Sequence, residues 1–356
     1  MSVAPSPSAR AARLSPRARL RRVRAGAGLL ASVVVLLLAG CGLASGDSGP
    51  TVRVYSARTY GNEQAYQRFT QETGIKVEFL TGSDAELRER LQTEGKDSEA
   101  DVYLTVDAAN LSLATRQGLL RPVTSPVLEK AVPRELRDPQ GRWFGLSERA
   151  RVIVYNRDRV QPSALSTYAA LADDRFRGRV CLRTATSAYT QSLVASFIAH
   201  DGIEGAREIV RGWVANSPQI LANDVEILRT IAAGGCDVGV TNHYYLAREL
   251  ARDPRMPVAL FWPQQGTTGV HVNISGAGVT AHSPHPDLAQ RFLEWLAGSG
   301  QTLFVEGNYE YPVNADVPLP EVLRGFGPYR RDELNVGELG AHNADAVRVL
   351  TDQGYR

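Results

Sequence analysis

From Thr51 onward the chain alternates short β-rich runs with amphipathic helical runs, a pattern that restricts it to folds built on a parallel sheet. Thr51-Val52-Arg53-Val54-Tyr55 has a period of two and reads as a strand. Glu63 to Thr73 carries Tyr66 and Phe69 on one helical face and stops at Gly74, and Ile75 to Leu80 reads as the second strand. Ser83-Asp84-Ala85-Glu86 has the form of a capping box, so a helix opens there with Leu87 and Leu91 as its apolar stripe, and Gly95 closes it. Asp101 to Thr105 is the third strand. Parallel strands joined through helices need right-handed crossovers, and such sheets bind ligands beyond the carboxyl ends of their strands. The loops Ser56 to Tyr60 and Val106-Asp107-Ala108 are therefore candidate site loops, and the expected class is α/β.

The pattern then restarts. Gly118 to Trp143 is rich in proline and charge and reads as irregular, and it leads into the apolar strand Arg151 to Asn156, expected to cross into a second lobe. Arg149 and Arg151 flank that strand and are expected to be solvated or salt-bridged surface residues. Gly178 to Leu182 is a strand, Thr184 to Thr190 a polar loop holding Tyr189, and Gln191 to His200 a helix. Val225 to Ala233 is a helix that precedes the strand Cys236 to Val240. Val270 to Val279 reads as a second extended crossover, followed by an amphipathic helix over Pro284 to Gly298. The boundaries expected are 51–150 plus 276–356 for one lobe and 151–275 for the other.

The first residues read as an address. Seven arginines lie between Arg10 and Arg24, no acidic residue precedes Asp47, and an apolar run from Leu29 to Leu38 leads to Leu38-Ala39-Gly40-Cys41. That is a signal peptide over 1–40, and Cys41 resembles the lipidated cysteine of bacterial lipoproteins. Residues 41–50 read as a flexible tether. Removing the leader changes the net charge from +2 to about −5, which excludes a basic nucleic-acid binder. The product is expected outside the cytoplasm, held to the outer face of the membrane by lipid.

Familiar catalytic signatures do not occur: the sequence has no Gly-x-Ser-x-Gly elbow, Walker loop, dinucleotide fingerprint or Cys-x-x-Cys pair. His282 and His285 are separated by Pro284 and lack a third ligand nearby, so they do not make a zinc site. What stands out is Thr241-Asn242-His243-Tyr244-Tyr245-Leu246-Ala247-Arg248, two adjacent phenols directly after an apolar strand. At a strand-to-helix turn both hydroxyls can converge, and a phenol ionises near pH 10 unless a strong cation lowers that value. Paired phenolates suit a hard, highly charged metal. Tyr189 lies eight residues after Cys181 and Tyr244 eight after Cys236, so the two loops look equivalent. Cys181 and Cys236 are expected to form a disulfide between neighbouring strands, as an oxidising compartment permits, the alternative being two buried thiols.

Several stretches together carry a family resemblance: Ser56-Ala57-Arg58-Thr59-Tyr60, Asp101 to Asn110, Trp143 to Asn156, Ser187-Ala188-Tyr189, Asn242-His243-Tyr244-Tyr245 and Asn273 to Val279. From about Thr51 to the Pro312 region the chain resembles the ferric-iron-binding solute-binding proteins of bacterial ABC transporters. That resemblance implies a two-lobed class II periplasmic-binding fold with two crossover hinge strands, closing around Fe3+ as cargo. It implies Tyr60, Tyr189, Tyr244 and Tyr245 as tyrosinate ligands, with Arg58, Thr59 and Arg248 supporting them or a synergistic anion such as carbonate. Relatives commonly have histidine where this chain has Thr59, which leaves the fifth position to water, an anion or a neighbouring side chain; His243 is a poor substitute. The implied partners are permease subunits, ferric iron or a ferric chelate, and the membrane through the lipid anchor; a monomer without catalytic activity is expected. The rival on the same fold binds an oxyanion, phosphonate or polyamine through residues such as Arg58 and Arg151, and a more distant rival is an enzyme or sensor on the same scaffold.

Overall fold

A computed structural model describes residues 49–59 and 63–356. The signal peptide, Cys41, the tether up to Ser48, and Tyr60 lie outside the described residues. The strands are β1 (Thr51–Ser56), β2 (Lys76–Thr81), β3 (Val102–Thr105), β4 (Phe144–Asn156), β5 (Val180–Arg183), β6 (Gln219–Leu221), β7 (Val238–Asn242), β8 (Val258–Phe261) and β9 (Val272–Val279). The helices are α1 (Glu63–Thr73), α2 (Asp84–Glu94), α3 (Ala108–Arg116), α4 (Pro126–Ala131), α5 (Ala188–Ala215) and α6 (Asp224–Ala232) in the first part of the chain. They continue as α7 (His243–Arg252), α8 (Pro286–Ala297), α9 (Gln301–Glu306), α10 (Glu321–Gly325), α11 (Gly337–Ala341) and α12 (Asn343–Asp352). None of the described helices is long and apolar enough to cross a membrane.

The strand order is β2-β1-β3-β9-β4-β7-β5-β6, with β8 also paired to β4. β1 runs parallel to β2 and β3, as the strand-helix alternation requires, and β5 runs parallel to β6 and β7. The two parallel groups are joined by antiparallel pairing through β9 and β4. β4 is the pivotal strand. Its residues up to Ala150 pair with β9, and from Arg151 onward they pair with β7. Every residue of β4 is buried, its charged residues Glu148, Arg149 and Arg151 included.

Local chemistry explains most of the boundaries. Ser83 caps α2 through Glu86 N–H while Glu86 returns a bond to Ser83, a complete capping box. Gly74 ends α1 at φ +72°, a conformation that disfavours any side chain. Elsewhere the structure departs from the sequence reading. The segment expected to be irregular contains α4, which Ser125 caps and Pro126 opens. The polar loop expected over Thr184 to Thr190 is cut short because Ser187 caps α5, which places Tyr189 in the helix's first turn and carries the helical segment to Ala215 with a break at Gly202. The C-terminal region contacts the tyrosine-bearing half of the chain: Tyr355 Oη donates to the Arg183 carbonyl (2.8 Å) and Ala185 N–H to the Arg356 carbonyl (2.9 Å). Trp213 of α5 packs beside Tyr355, burying the apolar stripe of the terminal turn.

Cys181 in β5 and Cys236, just ahead of β7, form a disulfide across 55 residues of chain. The two strands approach closely there because residue 239 is glycine: a Cβ at that point would meet the Cys181 carbonyl oxygen at 2.7 Å. A bridge closing a loop of that length restricts the unfolded chain by on the order of 4 kcal/mol. Replacing both cysteines by alanine is therefore expected to lower the unfolding free energy by roughly 2–5 kcal/mol. Urea denaturation of the two proteins, compared at their midpoints, measures that difference.

Candidate metal centre

β5 and β7 lie side by side and parallel, so their carboxyl ends open at the same edge of the sheet. Each continues into a helix whose first turn carries the tyrosines. Ser187 Oγ accepts from Tyr189 N–H (3.3 Å) at the start of α5. At the start of α7, Asn242 occupies the cap position without a side-chain bond to the helix, and His243, Tyr244 and Tyr245 follow as its first three residues. The hydroxyls of Tyr189 and Tyr244 come within 3.3 Å of each other, and the Tyr244 and Tyr245 rings lie with centroids 4.2 Å apart, tilted by 33°. The tyrosines sit in the first turns of both helices, where the positive end of each helix dipole favours negative charge.

Three arginines surround the phenols. The Arg183 guanidinium lies 4.8 Å from the Tyr189 ring centre and that of Arg151 lies 5.8 Å from it. Arg248 lies over Tyr244 (5.0 Å) and Tyr245 (5.5 Å). Asp224, wholly buried at the start of α6, accepts from Arg151 Nη1 with both oxygens (2.9 Å each) and from Arg183 Nη1 (3.1 Å). Burial pushes the Tyr189 phenol above its ordinary range, Arg149 and the bond with Tyr244 pull it down, and Tyr245 and Asp224 push it up. Without a metal this phenol keeps its proton, so a cation that enters must displace it.

Two sequence expectations change. Arg149 and Arg151 are not surface charges but lie buried in β4: Arg149 donates to Ser275 Oγ (2.8 Å) and the Ile274 carbonyl (2.8 Å), and Arg151 to Asp224 and the Val240 carbonyl (3.1 Å). A strand shared by two sheets has no solvent face to which these side chains could turn. Arg58, expected to support a phenolate or an anion, forms a fully buried ion pair with Glu310 (2.6 Å) and also donates to Ser275 Oγ (2.9 Å) and the Phe304 carbonyl (2.8 Å). Its charge is matched by Glu310, whose carboxyl is held down at about 2 against the pull of burial, by Arg58 first and then Arg149.

The remaining sequence candidates separate cleanly. Thr59 is exposed, and the Tyr60 that follows it lies outside the described residues. His243 is buried with both ring nitrogens engaged: Nδ1 accepts from Ala150 N–H (3.1 Å), so Nε2 carries the proton and donates to the Tyr309 carbonyl (2.9 Å). Burial holds this ring neutral, with its pKa lowered to about 4. Asp107 caps α3 through Ala109 N–H (2.8 Å) and Asn110 N–H (3.3 Å). The amide of Asn273 donates both to Asp107 (2.8 Å) and to Ser192 of α5 (2.8 Å), whose hydroxyl also meets His271 Nε2 (3.0 Å). Among the described residues no group of three or more His, Cys, Asp or Glu side chains forms a metal cage, so the tyrosines are the metal-binding candidates. Sequence reasoning missed Arg183 and Asp224. The available signal was the arginine ending β5 and the Asn223-Asp224 pair opening a helix, both at carboxyl strand edges.

The family described as bacterial extracellular solute-binding proteins matches residues 56–302. Iron uptake protein A1 of Synechocystis is 40% identical over 316 residues, 86% of this chain and 87% of that protein. The Fe(3+)-binding periplasmic protein of Serratia marcescens is 30% identical over 332 residues, 92% of this chain and 96% of that protein. Among solved structures, the Trichodesmium protein IdiA (FutA) in complex with iron and citrate ligands superposes with a TM-score of 0.82 at 41% identity, across 86% of this chain and all of that one.

Removing the Asp224 carboxylate leaves two guanidiniums without their buried partner, so Asp224→Ala is expected to cost roughly 3–5 kcal/mol of stability by urea denaturation. A second expectation concerns His271, whose pKa burial lowers to about 3, with Arg151 and His200 adding to the shift. Because that value lies below the ordinary one near 6.5, the stability contributed by the neutral ring is present above pH 6.5 and lost as pH falls through about 3. Asp84 works in the opposite sense: its carboxyl is pushed up to about 7 by burial and then by Asp107, so its contribution is lost as pH rises through that value. The two trends overlap in the whole-protein curve, so the check is an imidazole NMR titration, in which the His271 ring should remain neutral at pH 5.

Proposed function

This chain belongs to the family of bacterial extracellular solute-binding proteins, and on that footing we propose that it captures ferric iron and delivers it to the permease of an ABC transporter. The fold is the two-lobed class II fold of the ferric-binding relatives. The observation that carries the proposal is the 3.3 Å approach of the Tyr189 and Tyr244 hydroxyls, brought together by separate helices with Tyr245 beside them. A small hard cation held octahedrally at about 2.0–2.1 Å spaces neighbouring ligand oxygens by about 2.9 Å, so these phenols need little rearrangement to share one.

In this reading Tyr189, Tyr244 and Tyr245 bind as phenolates and Tyr60, from the loop after β1, adds a fourth. Arg183 and Arg248 offset the phenolate charge, while Asp224 keeps Arg151 and Arg183 in place. With Thr59 beside Tyr60, a water molecule or a small anion completes the coordination. Each phenol gives up its proton on loading, so affinity falls as the solution becomes more acidic. We place the lobes at 51–150 with 276–356 and at 151–275, with β4 and β9 crossing between them, so that ligands from both sides couple capture to closure. We also propose export by the leader and anchoring through lipid on Cys41. The oxyanion rival is weakened because Arg58 and Arg151, the cations it would use, are already paired with Glu310 and Asp224.

Titrating the purified protein with a ferric chelate tests the proposal. A visible tyrosinate-to-iron charge-transfer band is expected to saturate at one equivalent, and in Tyr244→Phe to weaken or shift, with a loss of affinity of roughly 10–100-fold or more. Absence of the band alongside tight binding of another solute would sink the iron reading. A parallel series from pH 8 to pH 5 should show the band fading as protons reclaim the phenols.

A further inference from the structure

We propose that the Cys181–Cys236 disulfide is a positioning element of the metal centre, setting the separation of the phenols that β5 and β7 deliver. The inference rests on the iron-binding reading above and concerns how that site is held in shape.

The two strands that deliver these tyrosines are weakly registered against each other. β4 and β7 pair at five positions, whereas β5 and β7 pair at two, Val180 with Val238 and Cys181 with Gly239. A short ladder resists slippage poorly, and a one-residue slip moves every side chain to the other face. The disulfide lies at this ladder, wholly buried, where Gly239 lets the backbones close together. From each bridged cysteine the chain runs eight residues to a phenol, Tyr189 on one side and Tyr244 on the other. The bridge is thus the common base of two chain segments of equal length whose ends meet at 3.3 Å.

The other restraints at this base are softer. Asp237, next to Cys236, pairs with Arg159 at 2.8 Å and with Arg179, and both arginines are more than two-fifths exposed. Exposed partners of this kind are screened by salt and contribute little rigidity. The outer neighbour of β5 is β6, a three-residue strand at the end of the sheet order. A covalent tie between β5 and the entry to β7 therefore limits splay of the loops above it in a way that neither the ladder nor the ion pairs can.

The test compares the purified full-length protein with its Cys181→Ala/Cys236→Ala variant, each titrated with a ferric chelate. Gallium(III), a trivalent cation that does not change oxidation state, is followed in parallel through the ultraviolet difference signal of tyrosinate. The folded variant is expected to bind about tenfold more weakly or worse, with a displaced charge-transfer band and fewer tyrosinates per gallium. Leu293→Ala, a buried truncation in α8 away from the bridge, is expected to lower stability while leaving band position and tyrosinate count unchanged. If the double variant matches the parent in band, count and affinity and differs only in unfolding midpoint, the bridge is merely stabilising and the inference falls. If the double variant does not fold, Cys181→Val/Cys236→Ala, which refills the buried space without the bond, supplies the same gallium comparison, with the same two outcomes. Absence of both signals from the parent protein would instead overturn the iron reading itself.

Discussion

The molecule depends on one strand serving two sheets. β4 gives its first half to β9 and its second half to β7 and β8, and it can do so only because it is buried along its whole length. That constraint forces charged residues within it to find partners inside the protein. Glu148, Arg149 and Arg151 are those residues: Glu148 accepts from Tyr329 and Arg331, and the two arginines find Ser275, backbone carbonyls and Asp224. One of the three arginines around the tyrosine cluster, Arg151, thus comes from the same strand that joins the two parallel groups.

The cluster itself combines opposing demands. The Tyr189 phenol, buried in the cluster, holds its proton more tightly than a phenol in water, yet the surrounding arginines and the positive ends of the helix dipoles favour the anions that a metal would create. Asp224 moderates the positive charge by engaging two of the arginines. The first-strand loop is arranged differently. Arg58 is locked to Glu310 within the interior, so the chain leading to Thr59 is anchored by a buried ion pair rather than presented to solvent.

Much of this was legible in the residues. The alternation from Thr51 to Thr105, the capping box at Ser83 and the glycine stops report local propensity, which a single sequence displays directly. The Tyr244-Tyr245 pair was legible because it follows an apolar strand, and Tyr189 because its offset from Cys181 repeats that of Tyr244 from Cys236. Arg149 and Arg151 misled because exposure is the usual fate of arginine, and nothing local tells that a strand is covered on both faces. The partner of Arg58 was hidden for a different reason: Glu310 lies more than two hundred residues away in sequence. Arg183 and Asp224 were invisible as a pair because only the packing of α6 against β5 brings them together.

Asn273 has a consequence for motion. An amide nitrogen has two hydrogens, and here one goes to Asp107 at the head of α3 and the other to Ser192 in α5. If those two helices drew apart, one bond would be surrendered to water, at a net cost of about 1 kcal/mol. That is less than twice the thermal energy at room temperature. By that measure Asn273 would be a detent rather than a lock, a contact that marks one separation of the two helices at a cost a modest push could meet.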